Sequence, residues 1–242
     1  MKSSRNIFVP IYWTAALLAL AAAVTLLLRY TPTEETMGPI QKIFYLHLPL
    51  AINTFFAALT VCIASVGYIA QKQTYWDDLA AAAAKVTLLL ATGVLATGMI
   101  WGHSAWGTWW TWSPRLTFSL MLWLLYAVYL IVRSSIESPQ RRAIVCAVYG
   151  LTAFLDVPIV YLSSKLLPDV HPSSIQLITP MKITLLVWFV PVTMIAAGLI
   201  ATRFSLNRIQ RRREQERREK SSRVTVAVRA GANGRRVPGG LA

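Results

Sequence analysis

Four tryptophans lie within seven consecutive positions near the middle of the chain. Residues 101–117 read Trp-Gly-His-Ser-Ala-Trp-Gly-Thr-Trp-Trp-Thr-Trp-Ser-Pro-Arg-Leu-Thr. An aromatic belt at the membrane surface requires no fixed spacing of its tryptophans, so a belt alone explains this density poorly. Flat apolar rings beside glycines, which let another group approach closely, are typical of a surface that binds a planar ligand with a polar edge. The four tryptophans, which lie beside Gly102 and Gly107, form the predicted platform.

Two histidines flank this platform in the sequence. His47 lies in Phe-Tyr-Leu-His-Leu-Pro, and His171 lies in Leu-Pro-Asp-Val-His-Pro. A single histidine at a helix end is usually an interfacial polar group. Two of them on either side of a tryptophan platform favour a pair of axial ligands, because neutral imidazole commonly binds haem iron. The third histidine, His103, lies inside the tryptophan-rich segment itself.

The composition indicates a membrane protein. Of 242 residues, 55% are hydrophobic and 14% are charged, whereas about one quarter of the residues in a soluble protein are charged. Six apolar stretches have about the 20 residues that a helix needs to cross a bilayer. The predicted fold is all-α, a polytopic bundle of six transmembrane helices at approximately 11–28, 49–70, 80–101, 116–132, 143–162 and 183–202.

The distribution of basic residues predicts the orientation of the bundle. With an internal amino terminus, 19 of the 24 Lys and Arg residues fall on the cytoplasmic side and 5 fall outside, in agreement with the positive-inside rule. Both termini are then cytoplasmic. All three histidines and the tryptophan platform are expected in outer loops.

Twelve of the 24 basic residues lie beyond residue 202, so the chain divides by composition. We expect a six-helix transmembrane domain over residues 1–203 and a basic cytoplasmic tail over residues 204–242. The tail is predicted to be helical from Arg208 to Arg223, where Glu and Arg or Lys recur at i,i+4 spacing, and disordered beyond. It is expected to contact the lipid bilayer and, since it lacks stacking aromatics, no nucleic acid.

The motif Trp-Gly-Thr-Trp-Trp-Thr-Trp at 106–112 resembles the tryptophan-rich signature of the haem-handling proteins of cytochrome c maturation, and most closely that of the CcmC family of haem exporter proteins. The similarity extends to Gly-Pro-Ile-Gln-Lys-Ile-Phe-Tyr-Leu-His at 38–47, to Phe-Leu-Asp-Val-Pro-Ile-Val-Tyr at 154–161 and to the loop around His171. It covers the chain up to about residue 203. Three ordered blocks are far more specific than one tryptophan-rich loop.

The resemblance implies a function and the residues that perform it. A member of this family binds b-type haem non-covalently at the outer face of the bacterial inner membrane, with His47 and His171 as axial ligands. The resemblance implies that the platform beneath the haem consists of Trp106, Gly107, Trp109, Trp110 and Trp112. His103 matches no family ligand and is expected to be a loop residue. It presents the haem to a membrane-tethered haem chaperone during cytochrome c biogenesis. ABC transporter subunits and a small membrane subunit of the maturation system are the further partners implied. No conventional catalytic constellation occurs, so a lyase-like transfer role leaves the status as an enzyme open.

One position departs from the family signature, which normally ends Trp-Asp. Here Trp112 is followed by Ser113 and Pro114. Serine is a favoured N-cap and proline fits the first helical position. We therefore expect the fourth helix to start at Pro114, with the Ser113 hydroxyl facing the amide of Arg115 or Leu116. The substitution would keep the cap and lose the charge.

Two charges beside the apolar spans require partners, because an ionisable group inside a membrane is costly. Arg115 lies at the start of the fourth predicted helix, and Asp156 lies within the fifth, two residues before Pro158. One interpretation pairs Arg115 with Asp156. The other has the Arg115 guanidinium bind a haem propionate in bidentate fashion, with Lys165 as a weaker candidate for the same role. The sequence leaves both open.

Two other functions compete with haem presentation. A permease subunit would export haem or another lipophilic cargo with an ABC transporter, and the scarcity of polar groups in the helices disfavours only a polar cargo. A quinone or electron-transfer subunit would require histidines within helices, whereas all three are predicted in loops or at helix ends. The sequence has no Walker motif, so any ATP hydrolysis would belong to a separate subunit.

Overall fold

The computed structural model describes residues 4–171 and 176–233. Within these ranges the chain forms seven α-helices and no β-strand. Six helical segments are long and apolar enough to cross a membrane, which confirms the prediction of an all-α, six-span membrane protein. The helices are α1 (Ser4–Arg29), α2 (Phe44–Gln71), α3 (Thr74–Trp106), α4 (Pro114–Ser135), α5 (Pro139–Phe154), α6 (Asp156–Leu166) and α7 (Thr179–Asn233), with a 3-10 helix at Pro39–Ile43 before α2.

Small side chains let α2 and α3 pack closely, and this is the most extensive helix pair in the described bundle. The buried core between them is rich in alanine, including Ala58 and Ala64 on α2 and Ala80, Ala83 and Ala84 on α3. Because lipid is as apolar as leucine, helices associate in a membrane mainly through close van der Waals contact, which small residues permit. α5 packs on α2, and α4 packs on α3 and α6. The start of α2, the end of α3 and the start of α4 therefore meet at one end of the bundle.

The fifth predicted span consists of two helices. α5 ends at Phe154, because Pro158 has no amide hydrogen to donate to the carbonyl of Phe154 four residues earlier. At this end of α5 the Leu155 amide bonds to the carbonyl of Thr152, three residues earlier and 3.1 Å away. The prediction of one continuous helix is corrected here, although the segment as a whole has the length of a membrane span.

Several helices extend further than the sequence indicated, and two of these extensions contain histidines. α2 begins five residues before the predicted start at Pro49, and α3 continues five residues past the predicted end at Trp101. A proline near the start of a helix removes only one backbone hydrogen bond, here the bond to the Tyr45 carbonyl, so it did not mark the boundary. His47 and His103, which the sequence placed in loops, consequently lie within helices.

The chain divides into two compact units, residues 1–204 and 205–242. The described part of the second unit is helical to the end of α7 at Asn233, whereas the sequence predicted irregular structure from residue 224. No proline interrupts the chain there before Pro238, so the helical hydrogen bonds can continue. Residues 234–242, also predicted to be disordered, lie outside the described residues.

Candidate functional site

A cavity of about 750 Å³ lies between α2, α3, α4 and the segment after α6. Its volume is within the range of roughly 300–1,000 Å³ that is typical of sites for small molecules and cofactors. Most of the lining is apolar, and a few polar side chains converge on it. The predicted site residues in its wall are His47, Trp106, Trp110, Arg115, Lys165 and His171. Both histidines and two of the platform tryptophans therefore share one cavity.

His47 is oriented by the neighbouring helix α3. Its Nδ1 lies 2.8 Å from Oγ1 of Thr97, and that hydroxyl also lies 2.7 Å from the carbonyl oxygen of Gly93. A carbonyl only accepts hydrogen bonds, so the hydroxyl donates to Gly93 and accepts from Nδ1–H of His47. A neutral imidazole protonated at Nδ1 carries its lone pair on Nε2, which is then available to a metal.

His171 receives a hydrogen bond from Arg115. Nη1 of Arg115 lies 3.2 Å from Nδ1 of His171, and since a guanidinium only donates, Nδ1 is the acceptor. Arg115 also donates to the carbonyl oxygens of Val160 and Tyr161 in α6, at 3.5 and 3.3 Å. The ring of His171 lies beside Trp101, with ring centroids 6.5 Å apart. A neutral His171 in this arrangement carries its proton on Nε2, the opposite tautomer to that of His47.

Asp169, and not Ser113, caps the amino end of α4. Ser113 has the extended backbone of an N-cap residue, but its side chain makes no capping bond, and its buried hydroxyl has no partner in the part of the chain that the structure describes. Oδ2 of Asp169 accepts from the Arg115 amide at 2.7 Å, and Oδ1 accepts from the His171 amide at 2.7 Å. The predicted start of α4 at Pro114 is confirmed, and the predicted Ser113 cap is wrong because a charged carboxylate, a stronger acceptor than a hydroxyl, takes its place.

Two platform tryptophans line the cavity together with a third that the sequence analysis did not select. Trp106 packs edge-on against Trp101, with ring centroids 5.1 Å apart, and both face the cavity. Trp110 lies in the same wall. Its indole Nε1 is buried and has no acceptor among the described residues. The cavity therefore offers aromatic surface from three tryptophans.

The other three platform residues lie outside this wall. Trp109 is 56% exposed, and its ring stacks on His103 with centroids 4.2 Å apart. Trp112 is 74% exposed. Gly107 ends α3 with a φ of 74°, a left-handed conformation that glycine adopts without strain. These three residues shape the exposed segment between α3 and α4.

Arg115 and Asp156 do not form the ion pair that the sequence left open. Asp156 is buried, and neither of its carboxyl oxygens has a hydrogen-bond partner among the described residues. Arg115 instead contacts His171 and α6 at the cavity wall, where it can meet an anionic ligand. Lys165 lies in the same wall, with Nζ 2.9 Å from the Tyr161 hydroxyl.

Three residues of the site escaped the sequence analysis. Thr97 is one of several threonines in an apolar helix, and nothing in its neighbourhood marks it as a partner of His47. Asp169 stands two residues before His171, and this proximity was an available signal. Trp101 belongs to the aromatic segment but lies five residues before the motif at 106–112 on which the platform was predicted.

The sequence comparisons agree on one family. Residues 1–225 match the family model described as heme exporter protein C. A relative named "Heme exporter protein C" from Bradyrhizobium diazoefficiens is 28% identical over 231 residues, which cover 90% of this chain and 88% of the relative. Relatives of the same name from Paracoccus denitrificans and Escherichia coli are 34% identical over 129 residues and 25% identical over 171 residues. Those two matches cover 52% and 68% of this chain, and 54% and 70% of the relatives.

Proposed function

The chain belongs to the heme exporter protein C family, and we propose that it binds haem at the outer face of the bacterial inner membrane and presents it to a membrane-anchored haem chaperone during cytochrome c biogenesis. The observation that carries this proposal is that His47 and His171, distant in sequence, line one cavity with Trp106 and Trp110. Haem is the cargo, bound non-covalently as b-type haem, with ABC transporter subunits and a small membrane subunit as further partners.

The two imidazoles carry their protons on different ring nitrogens, and this decides how each of them can bind the iron. His47 already presents an unprotonated Nε2, because Thr97 holds its proton on Nδ1. His171 accepts a hydrogen bond at Nδ1 from Arg115, so its Nε2 becomes a ligand only when the proton moves to Nδ1 and Arg115 turns away. His47 is therefore the ligand that needs no rearrangement, and His171 completes the pair.

Arg115 has a second acceptor in this proposal. A guanidinium released from Nδ1 of His171 pairs well with a carboxylate, and haem carries two propionates. Arg115→Gln should weaken retention of haem more than retention of haem dimethyl ester, which has no free carboxylate. The wild-type protein should prefer the free acid, and equal retention of both compounds by the wild-type protein would remove Arg115 from propionate binding.

The test of the function is an absorption spectrum of the detergent-purified protein with and without added haem. His47→Ala and His171→Ala should each shift the haem bands and weaken retention, because each removes one axial ligand. His103→Ala is the matched control and should change neither, since its ring stacks on Trp109 away from the cavity wall. A double His47→Ala, His171→Ala variant that kept haem with the wild-type spectrum would refute the bis-histidine site.

Export of haem through the bundle remains the second candidate, because the cavity continues along α2 to Phe55 and along α3 to Ala91. Phe55 lies about 16 Å along the helix axis from the first residue of α2, at 1.5 Å per residue. Right-side-out membrane vesicles separate the two functions. Binding of haem added outside, without ABC subunits, supports presentation at the outer face; loading only from inside supports the permease.

A further inference from the structure

The Asp169 side chain links the segment 169–171 to the start of α4. The two carboxyl oxygens of Asp169 accept separate backbone bonds, Oδ2 from the Arg115 amide and Oδ1 from the His171 amide, each at 2.7 Å. Asp169 and Arg115 are 54 residues apart in the chain. One carboxylate thus joins the loop that carries a proposed iron ligand to the helix that carries a proposed propionate ligand.

The amino end of α4 needs an acceptor of this kind. The first amides of a helix have no partner within the helix, and Pro114 has none to offer, so the Arg115 amide is the first that requires one. Ser113 occupies the N-cap position without bonding to it. A negative charge at a helix amino terminus is also favoured by the helix dipole. The Asp169 carboxylate is therefore stabilised at the amino end of α4.

The position of Asp169 fixes the position of His171. The His171 amide is bonded to the same carboxylate, and the ring contacts Nη1 of Arg115 and lies beside the tilted ring of Trp101. A loop held only by the ends of its neighbouring helices would sample many orientations of the ring. With its backbone tied at residue 171, the loop presents the imidazole to the cavity.

We propose that Asp169 is a positioning residue for His171, which it holds at the cavity by fastening the His171 backbone to the amino end of α4. This inference rests on the proposed function, in which His171 binds the haem iron. Asp169 does not line the cavity, and the proposed effect on haem passes through His171.

The test compares Asp169→Ala with His171→Ala in the purified full-length protein. Asp169→Ala should retain haem about 10- to 100-fold more weakly, the usual effect of removing an outer-shell partner of a metal ligand. Its absorption spectrum should resemble that of His171→Ala. Adding Asp169→Ala to His171→Ala should cause little further loss, because both changes remove the same ligand. Asp169→Asn keeps one acceptor oxygen and should lie between Asp169→Ala and wild type.

Ser113→Asp in the Asp169→Ala background separates positioning from helix capping. The new carboxylate sits at the N-cap of α4, so it should recover thermal stability without recovering the wild-type haem spectrum. Glu35→Ala removes an exposed acidic residue from the segment between α1 and α2 and serves as the charge control, with no expected change. Full spectral recovery by Ser113→Asp, or a wild-type spectrum in Asp169→Ala, would overturn the inference. The proposed function fails separately, if the double histidine variant keeps the wild-type spectrum.

Discussion

Thr97 decides which nitrogen of His47 is free, and this can be tested with a near-isosteric change. Thr97→Val removes the acceptor for Nδ1–H while keeping the side-chain volume, so His47 loses its fixed tautomer and orientation. We expect haem retention to fall about 10- to 100-fold, as for other outer-shell partners of metal-binding histidines. Haem titration followed by absorption spectroscopy measures the effect. Thr97→Ser keeps the hydroxyl and should stay close to wild type; equal losses in both variants would contradict the role of the hydroxyl.

Gly98 sets the space available to the same ring. A Cβ at this position would lie 3.3 Å from Cε1 of His47, so Gly98→Ala should push the imidazole aside and weaken haem retention. Gly93→Ala is the matched control, because its Cβ would meet the flexible Leu50 side chain at 3.2 Å. Both changes favour the helix by up to about 1 kcal/mol, so neither should lower the melting temperature strongly. If Gly93→Ala weakened haem retention as much as Gly98→Ala, the effect would not come from His47.

The site could be predicted from the sequence to the extent that residue type limits chemistry. His47 and His171 stand out because imidazoles are rare in this chain and flank an aromatic segment. Thr97 and Asp169 could not be selected in the same way, because their roles arise from side-chain contacts that depend on the folded arrangement of α3 and of the loop after α6. Ser113 shows the converse case, a favourable local cap replaced by a distant carboxylate.

At the scale of helices, an ion pair should stabilise the packing of α3 on α4 at the end of the bundle that lies opposite the cavity. Arg133 donates two hydrogen bonds to the two carboxyl oxygens of Asp77, at 2.6 and 2.9 Å, and the Asp77 side chain is 2% exposed. Asp77→Leu leaves a nearly buried guanidinium without this partner, which costs about 3–5 kcal/mol. Thermal unfolding in detergent should show the loss. The haem spectrum should be unchanged, because Asp77 lies at the opposite end of α3 from Trp106.

Two variants control this prediction. The Asp77→Leu, Arg133→Met double variant removes both charges and should recover most of the stability, since a buried ion pair can often be replaced by apolar side chains. Glu137→Ala removes an exposed carboxylate just after α4 and should have little effect. A single Asp77→Leu variant as stable as wild type would show that the pair contributes nothing to the packing of α3 on α4.

The number of spans was predictable, and most of the helix ends were not. Apolar length alone identifies a bilayer crossing, and all six were found. The helix ends depend on the residues around them. Pro49 is tolerated near the start of α2, whereas Pro158 breaks the fifth span, although each lacks a backbone amide hydrogen. Pro191 also removes an interior hydrogen bond, yet α7 continues past it, so a proline in the sequence does not by itself identify a helix end.

At the scale of the whole molecule, the proposed function requires the cavity to open on the outer side of the membrane. The basic residues favour this orientation, with 19 of 24 on the side predicted to be cytoplasmic. The 3-10 helix and the start of α2, the end of α3 and the segment 169–171 all contribute to the cavity wall. These segments share one end of the bundle, so a single assignment of sides decides the orientation of the whole site.

Cysteine labelling of intact cells tests that assignment. Glu35 precedes α2 on the side of the cavity, Glu137 lies in the turn between α4 and α5 at the opposite end, and both are exposed. In a background in which Cys62 and Cys146 are replaced by serine, a membrane-impermeant maleimide should label Glu35→Cys in intact cells and Glu137→Cys only after the membrane is opened. Because the two positions lie at opposite ends of the bundle, only one of them should be labelled in intact cells. Labelling of Glu137→Cys alone would place the cavity on the cytoplasmic side, where a haem chaperone tethered outside could not reach His47 or His171.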